Sequence, residues 1–291
     1  MAQSSTVARA LEKSGAEVEL VTITTEGDTS KASLSSLGGT GVFASALRDA
    51  LLAGRVDVIV HSLKDLPTAA FPGLSIAAIP KREDARDALC ARDGLTLDTL
   101  PEGATVGTGS PRRRAQLLKR RPDLAVADIR GNVDTRLGKV ASGELDAVIL
   151  AAAGLSRLGR LDAVTEFFGI DGWPTAPGQG AVAIEVRAGE EKLVAALDHK
   201  PTRTLVEAER EVLALLEAGC AAPVGANAFV DDGLLFLSAR VYSPDGVTTL
   251  TSAHALYLAD VKQPGSELAV RVARELLDAG AADIAPLGAT G

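Results

Sequence analysis

Aromatic side chains are scarce in this 291-residue chain: one Trp, two Tyr and six Phe make up 3% of it, so the stacking platforms that hold unpaired bases are missing. Cysteine and histidine are scarcer still. Cys90 and Cys220 could form one disulfide at most, and His61, His199 and His254 stand apart with no Cys-x-x-Cys, so neither a disulfide framework nor a metal site is expected. No apolar run reaches the roughly eighteen residues of a membrane span, and Met1 is not followed by the basic and apolar segments of an export signal. Cytoplasmic placement, with no membrane partner, is the expectation. Positive charge is in deficit too: 30 Lys and Arg against 38 Asp and Glu leave a net charge of -8, which opposes the broad basic footprint of a nucleic-acid binder.

What is present is an ordinary globular composition, 46% hydrophobic and 23% charged, long enough for two or three cores. Strand-like and helix-like runs alternate. Residues 18–24 (VELVTIT) and 56–60 (VDVIV) read as strands around a helix at 42–53, and the pattern resumes with strand 105–107, helix 112–121, strand 126–129, helix 133–141 and strand 147–151. Such alternation predicts parallel sheets faced by helices. The runs AGRVDVIVHS (53–62) and SGELDAVILA (142–151) share a helix-ending Gly, two residues, an Asp and an apolar strand, which points to two similar α/β lobes. After residue 200 come helix 204–217, a Gly-Cys loop, strands 227–230, 234–242 and 252–259, and helix 267–279, the order of a separate α+β domain.

Within this acidic chain, GTGSPRRRAQLLKRRPDL (107–124) carries six cations against Asp123. Ser110 is a favoured N-cap and Pro111 suits the first helical position, so a strand, a small loop and a helix N-terminus put free N–H groups at one point. Thr108, Ser110, Arg112 and Arg113 are candidates for an anion site there, whereas Lys119, Arg120 and Arg121 read as a solvated helix face. Gly-x-x-x-x-Gly-Lys is absent, so this is no P-loop. IRGNVDTR adds Arg130, Gly131 and Arg136, and AAAGLSRLG adds Gly154 and Arg157. Arginines at successive strand ends would converge on one crevice, and their paired donors suit carboxylates. In the first lobe, Ser62, Lys64 and Asp65 follow a strand in VHSLKDLP; they make either a plain ion pair or a site where Lys64 holds an anion while Asp65 faces a developing cation or passes a proton. Cys90 reads as a small buried hydrophobe, while Cys220, on a turn in EAGCAAP, is a candidate nucleophile or attachment point.

These runs, with GGTGVF, REDARDAL and PGQGAVAIEVR, come in an order that resembles the hydroxymethylbilane synthase (porphobilinogen deaminase) family over nearly the whole chain. The resemblance implies two periplasmic-binding-protein-like lobes and a C-terminal α+β domain, divided here as 1–81 with 181–199, 86–175, and 203–291. It implies a monomeric transferase of haem biosynthesis that joins four porphobilinogen molecules head to tail, losing ammonia each time, and frees the linear product with water. The family's cofactor, a dipyrromethane held by a thioether, would fall on Cys220 and its catalytic aspartate on Asp65. Ser62, Lys64, Thr108, Ser110, Arg112, Arg113, Arg130, Gly131, Arg136, Gly154 and Gln179 would bind the cofactor, and Arg130, Arg136 and Arg157 the substrate; Gly180 falls near the cofactor as well.

Two departures stand out. Family members open with a strand and a Thr-Arg-x-Ser-x-Leu-Ala segment, of which MAQSSTVARALE resembles only the tail, so the working protein is expected to start further upstream. Thr40 stands where many relatives carry Lys. The competing readings are a non-catalytic two-lobed carboxylate-binding protein and an inactive, shortened family member.

Overall fold

A computed structural model describes residues 2–23, 41–219 and 222–288. Cys220 and Thr40 lie outside the described residues, as does the end of the 18–24 run. Along the chain come α1 (Ala2–Lys13), α2 (Gly41–Leu52), β1 (Ile59–Ser62), β2 (Leu74–Ala78), β3 (Asp87–Ala91), β4 (Thr105–Gly107), α3 (Pro111–Arg120), β5 (Ala125–Ala127), α4 (Val133–Ala141), β6 (Ala147–Ala151), α5 (Ala152–Arg157), β7 (Glu166–Phe167), β8 (Val182–Arg187), α6 (Lys200–Leu215), β9 (Val224–Asp231), β10 (Leu234–Tyr242), β11 (Thr249–Tyr257), α7 (Pro264–Asp278) and α8 (Ala281–Ile284).

They form three sheets. In lobe one the order is β1-β8-β2, and α1 covers it by burying Val7 and Leu11 against Ala78, Ile184 and Val186. In lobe two the order is β5-β4-β6-β3-β7; β6, with four consecutive buried residues, is central and covered on both faces, as its unbroken apolar run implies. The C-terminal sheet β11-β10-β9 is an antiparallel meander whose inner face, with Leu235, Leu237 and Val241, packs on Val212 of α6 and Leu268 and Val272 of α7.

The expectation of parallel sheets needs correction. Among the described residues only β5-β4-β6 run parallel; β3 is antiparallel to both β6 and β7, and β8 is antiparallel to both β1 and β2 in lobe one. The chain leaves lobe one through residues 79–86 and returns through 168–181, so β3 and β8 enter their sheets from the crossing side. Local hydrophobic period carries no information about that direction. Residues 16–23 are not in a strand, and Leu20 and Val21 are 43% and 52% exposed. Residues 56–58 stay outside the ladder, which begins at Ile59.

The C-terminal domain is fastened to lobe two through the β10–β11 turn. Gly246 there has φ +77, and a Cβ on it would sit 2.3 Å from Ala115 O and 2.8 Å from Lys119 N of α3. Replacing Gly246 with Ala should cost about 2 kcal/mol or more in urea unfolding, from strain and lost docking together. Gly54→Ala, with φ +68 but nothing within 4 Å, carries the backbone strain alone and should cost about 1 kcal/mol.

Candidate active site

The site is organised around a carboxylate that never reaches water. Asp87 opens β3 and is fully buried. Its Oδ1 accepts from Arg113 Nη2 at 2.6 Å and Gln179 Nε2 at 2.8 Å; its Oδ2 accepts from Arg112 Nη2 and Trp173 Nε1, both at 2.9 Å. Burial alone would push this carboxyl up, but the two guanidiniums and the hydrogen bonds outweigh it and hold the group ionised, far below the usual carboxylate range. The two arginines arrive together because they occupy the first turn of α3, where Ser110 caps the helix by accepting from Arg113 N and Pro111 starts it.

Arg112 is committed to the interior: Nη1 donates to Gln116 Oε1 at 2.6 Å and to Pro174 O at 2.9 Å, and the residue is 3% exposed. Arg113 donates from Nη1 to Ile149 O at 3.0 Å and reaches Gln179 Oε1 at 3.4 Å. The Nε of each is buried without a hydrogen-bond partner among the described residues. From lobe one, Lys64 Nζ donates to the same Gln179 Oε1 at 3.1 Å. Its amine is lowered to about 8, first by burial and then by the charge of Arg113, so its cationic form fades as pH rises through that value. Asp65, one residue on in the short turn Leu63–Asp65, is exposed.

Arg136 on α4 is close enough to feel Arg113, Asp128, Asp65 and Arg130. Burial first, then Arg113, lowers its pKa, and its Nε donates to Gly131 O at 2.8 Å. Gly131 has φ +109, and Asn132 caps the helix behind it by accepting from Thr135 N at 2.8 Å. Lys64 and Asp65 from lobe one therefore face Arg113, Arg130 and Arg136 from lobe two, with Gln179 of the crossing segment between them. Lys64, Arg130 and Arg136 form no ion pair with a carboxylate of the chain among the described residues, and Asp65 has no hydrogen bond or ion pair there either.

Other expected residues sit elsewhere. Arg157 donates from Nε to Glu83 Oε1 at 2.8 Å and from Nη2 to Gly180 O at 3.3 Å, so it grips the crossing segments. Thr108 is buried and accepts from Ser110 N at 3.2 Å; Ser62 Oγ accepts from Gln3 Nε2 at 2.7 Å. Gly154, near the start of α5, packs on Val133. Lys119 and Arg120 are exposed, as a solvated face requires; Lys119 Nζ also reaches Thr249 Oγ1 at 2.7 Å, and the half-buried Arg121 donates to Leu97 O and Leu100 O at 2.7 and 3.0 Å. Cys90 is buried and its thiol is pushed up to about 12, mainly by that burial, which suits an inert core residue.

Sequence reasoning missed Asp87, Trp173 and Glu209. Fully buried Glu209 pairs with Arg82 at 2.7 Å and accepts from Gly178 N and Ala228 N, tying α6 to the crossing segments and to β9. The available signal was an acid at the first position of an otherwise apolar strand, DALCA.

Comparison with known proteins adds the following. Residues 1–195 match the family model "Porphobilinogen deaminase, dipyromethane cofactor binding domain", and residues 203–278 match "Porphobilinogen deaminase, C-terminal domain". The chain is 61% identical over 298 residues to the porphobilinogen deaminase of Leifsonia xyli, covering 98% of this chain and 90% of that protein. It is 55% identical over 287 residues to that of Thermobifida fusca, covering 96% and 90%. Among solved structures, an arginine-specific periplasmic binding protein of Salmonella typhimurium aligns at 15% identity and a TM-score of 0.37, over 72% of this chain and 86% of that one.

Replacing Asp87 with Ala strands two buried guanidiniums and should cost about 3–5 kcal/mol, read as a lower urea midpoint. Asp87→Asn, which keeps an oxygen acceptor, should cost less.

Proposed function

The chain belongs to the porphobilinogen deaminase family, and on that premise we propose that its cleft joins four porphobilinogen molecules head to tail, releasing an ammonia at each addition and hydroxymethylbilane at the end. The observation that carries the assignment of residues is the set of cleft cations that have no carboxylate partner among the described residues, Lys64, Arg130 and Arg136, facing Asp65, which has no partner among them either. In a chain of net charge -8, where most arginines are paired internally, cations left over in one crevice mark where an anionic ligand neutralises them. Each porphobilinogen carries two carboxylates, and a growing chain adds two more with each unit. The donor set therefore fits a polycarboxylate primer as well as the substrate.

A dipyrromethane joined to Cys220 would supply the free pyrrole position from which the chain extends. Lys64, Arg130 and Arg136 hold acetate and propionate groups; Arg113, fixed by Asp87, adds its charge behind them. Thr108 and Ser110 shape the loop ahead of α3 and keep its N-terminal amides aimed at the cleft. Asp65 accepts the pyrrole N–H and balances the positive charge that develops on the substrate as its carbon–nitrogen bond to ammonia breaks. Arg112 and Gln179 act from behind these groups, and Arg157 acts through the crossing segments. The working unit is a cytoplasmic monomer in which 1–81 with 181–199, 86–175, and 203–291 are the three domains. A merely binding two-lobed protein would have no use for Asp65, an acid set among cations that would weaken carboxylate binding.

Intact mass tests the attachment. The wild-type protein should exceed its bare sequence by two porphobilinogens less two ammonias, and Cys220→Ser should lose that excess; a bare wild-type mass overturns the attachment and supports the inactive reading. Asp65→Asn, at an exposed position, should leave stability within about 0.5 kcal/mol while lowering kcat for porphobilinogen consumption by roughly 10²–10³-fold. Retention of full turnover would remove Asp65 from the chemistry.

A further inference from the structure

Gln179 is an amide whose orientation is dictated from one side. It is fully buried, and its Nε2 donates both protons inward, to Ala85 O at 2.7 Å and to Asp87 Oδ1 at 2.8 Å. Ala85 O and the ionised Asp87 can only accept, so the amide nitrogen must face them and Oε1 must face the other way. On that side Oε1 meets two cations, Lys64 Nζ at 3.1 Å and Arg113 Nη2 at 3.4 Å. Lys64 belongs to lobe one and Arg113 to lobe two, while Gln179 sits on the segment that returns between them. Both donors and the oxygen are used within the protein, so Gln179 has no polar group left for a ligand.

We propose that Asp87 and Gln179 are positioning residues for Lys64: the buried carboxylate locks the amide, and the amide oxygen holds the lobe-one lysine at the lobe boundary beside Arg113. Reversing the amide would bring an N–H against both cations and an oxygen against Asp87, so only one rotamer is compatible with the site. The relay gives Lys64 a fixed place while it lacks a carboxylate, and the oxygen can be exchanged for a ligand's carboxylate oxygen with little movement. This deepens the proposed function and rests on it only for the identity of that carboxylate.

The charged groups acting on Lys64 are Arg113, Asp65, Asp87 and Arg112, so its titration reports the relay directly. Competitive labelling of the full-length protein with an amine reagent across pH 6 to 11, read at the Lys64 peptide by mass spectrometry, should give a wild-type midpoint near 8. In Gln179→Leu the lost acceptor should lower that midpoint by roughly one pH unit, since hydrogen bonds to charged groups exceed ordinary ones. Gln179→Glu, which keeps an oxygen toward Lys64 and meets Asp87 or Ala85 O through a carboxyl proton that burial and the Asp87 charge favour, should return it to the wild-type value or above. Asp87→Asn should lower it as Gln179→Leu does, and if that variant does not fold, the Gln179 pair decides alone. In parallel, KM for porphobilinogen should rise about tenfold in Gln179→Leu. A Lys64 midpoint unchanged in a folded Gln179→Leu protein overturns the relay, leaving Gln179 as packing only. The labelling needs no turnover, so a wild-type protein that failed to consume porphobilinogen would sink the functional reading and leave the relay standing or falling on its own.

Discussion

The ionised Asp87 carboxylate, taken wholly out of water, is the constraint on which the cleft depends. A bare carboxylate could not be held there; desolvation would neutralise it. Two guanidiniums, an indole N–H and an amide N–H occupy its two oxygens instead. These four donors come from α3 and from two points of the return crossing, Trp173 and Gln179, so satisfying one carboxylate fixes both segments relative to β3. Losing any donor leaves charge uncompensated in a low-dielectric interior, which makes the arrangement cooperative and narrows it to one geometry.

Lobe one and the C-terminal domain repeat the device. Glu185 on β8 takes a bidentate contact from Arg48, at 3.0 and 2.7 Å, and lies 3.1 Å from His61 Nε2. Burial would raise its carboxyl, but His61 and Arg48 together bring it down to about 2. His61 stands in β1 directly ahead of Ser62, Lys64 and Asp65, so this pairing anchors the turn that carries the proposed catalytic acid. Glu209 gathers Arg82, Gly178 N and Ala228 N, while the neighbouring Arg210 donates to Leu63 O, Leu66 O and Pro67 O around the same turn. Each buried acid thus sits where segments from different parts of the chain meet, and the turn bearing Asp65 is held from the sheet side and from α6.

A division of labour among cations follows. Arg48, Arg82 and Arg112 spend their donors on the interior, and Arg157 on the crossing; Lys64, Arg130 and Arg136 have no carboxylate partner among the described residues, and their charge is left to the cleft. Arg113 stands between the two groups, its Nη atoms committed and its Nε without a hydrogen-bond partner among the described residues. A rigid, internally neutralised shell beneath a set of unneutralised cations is the arrangement expected where anions must be bound repeatedly in register, because the shell resists the repulsion that gathers among like charges.

Much of this was legible from residue order. The helix 133–141 and the strands 105–107 and 147–151 fall where hydrophobic period put them, and Ser110 with Pro111 marked the start of α3, because capping and periodicity are local physics acting within a few residues. Family motifs likewise singled out Asp65 and the arginines as candidates. What residue order could not express was strand direction in the two lobes, the turning of Arg112 inward and of Arg157 onto the crossing, and the hydrogen bonds of Lys119 and Arg121 to other segments. An arginine beside a proline reads the same whether it meets a ligand or Asp87, 25 residues away. Which of these it meets depends on the only partner left once water is excluded, and the tertiary packing alone selects that partner.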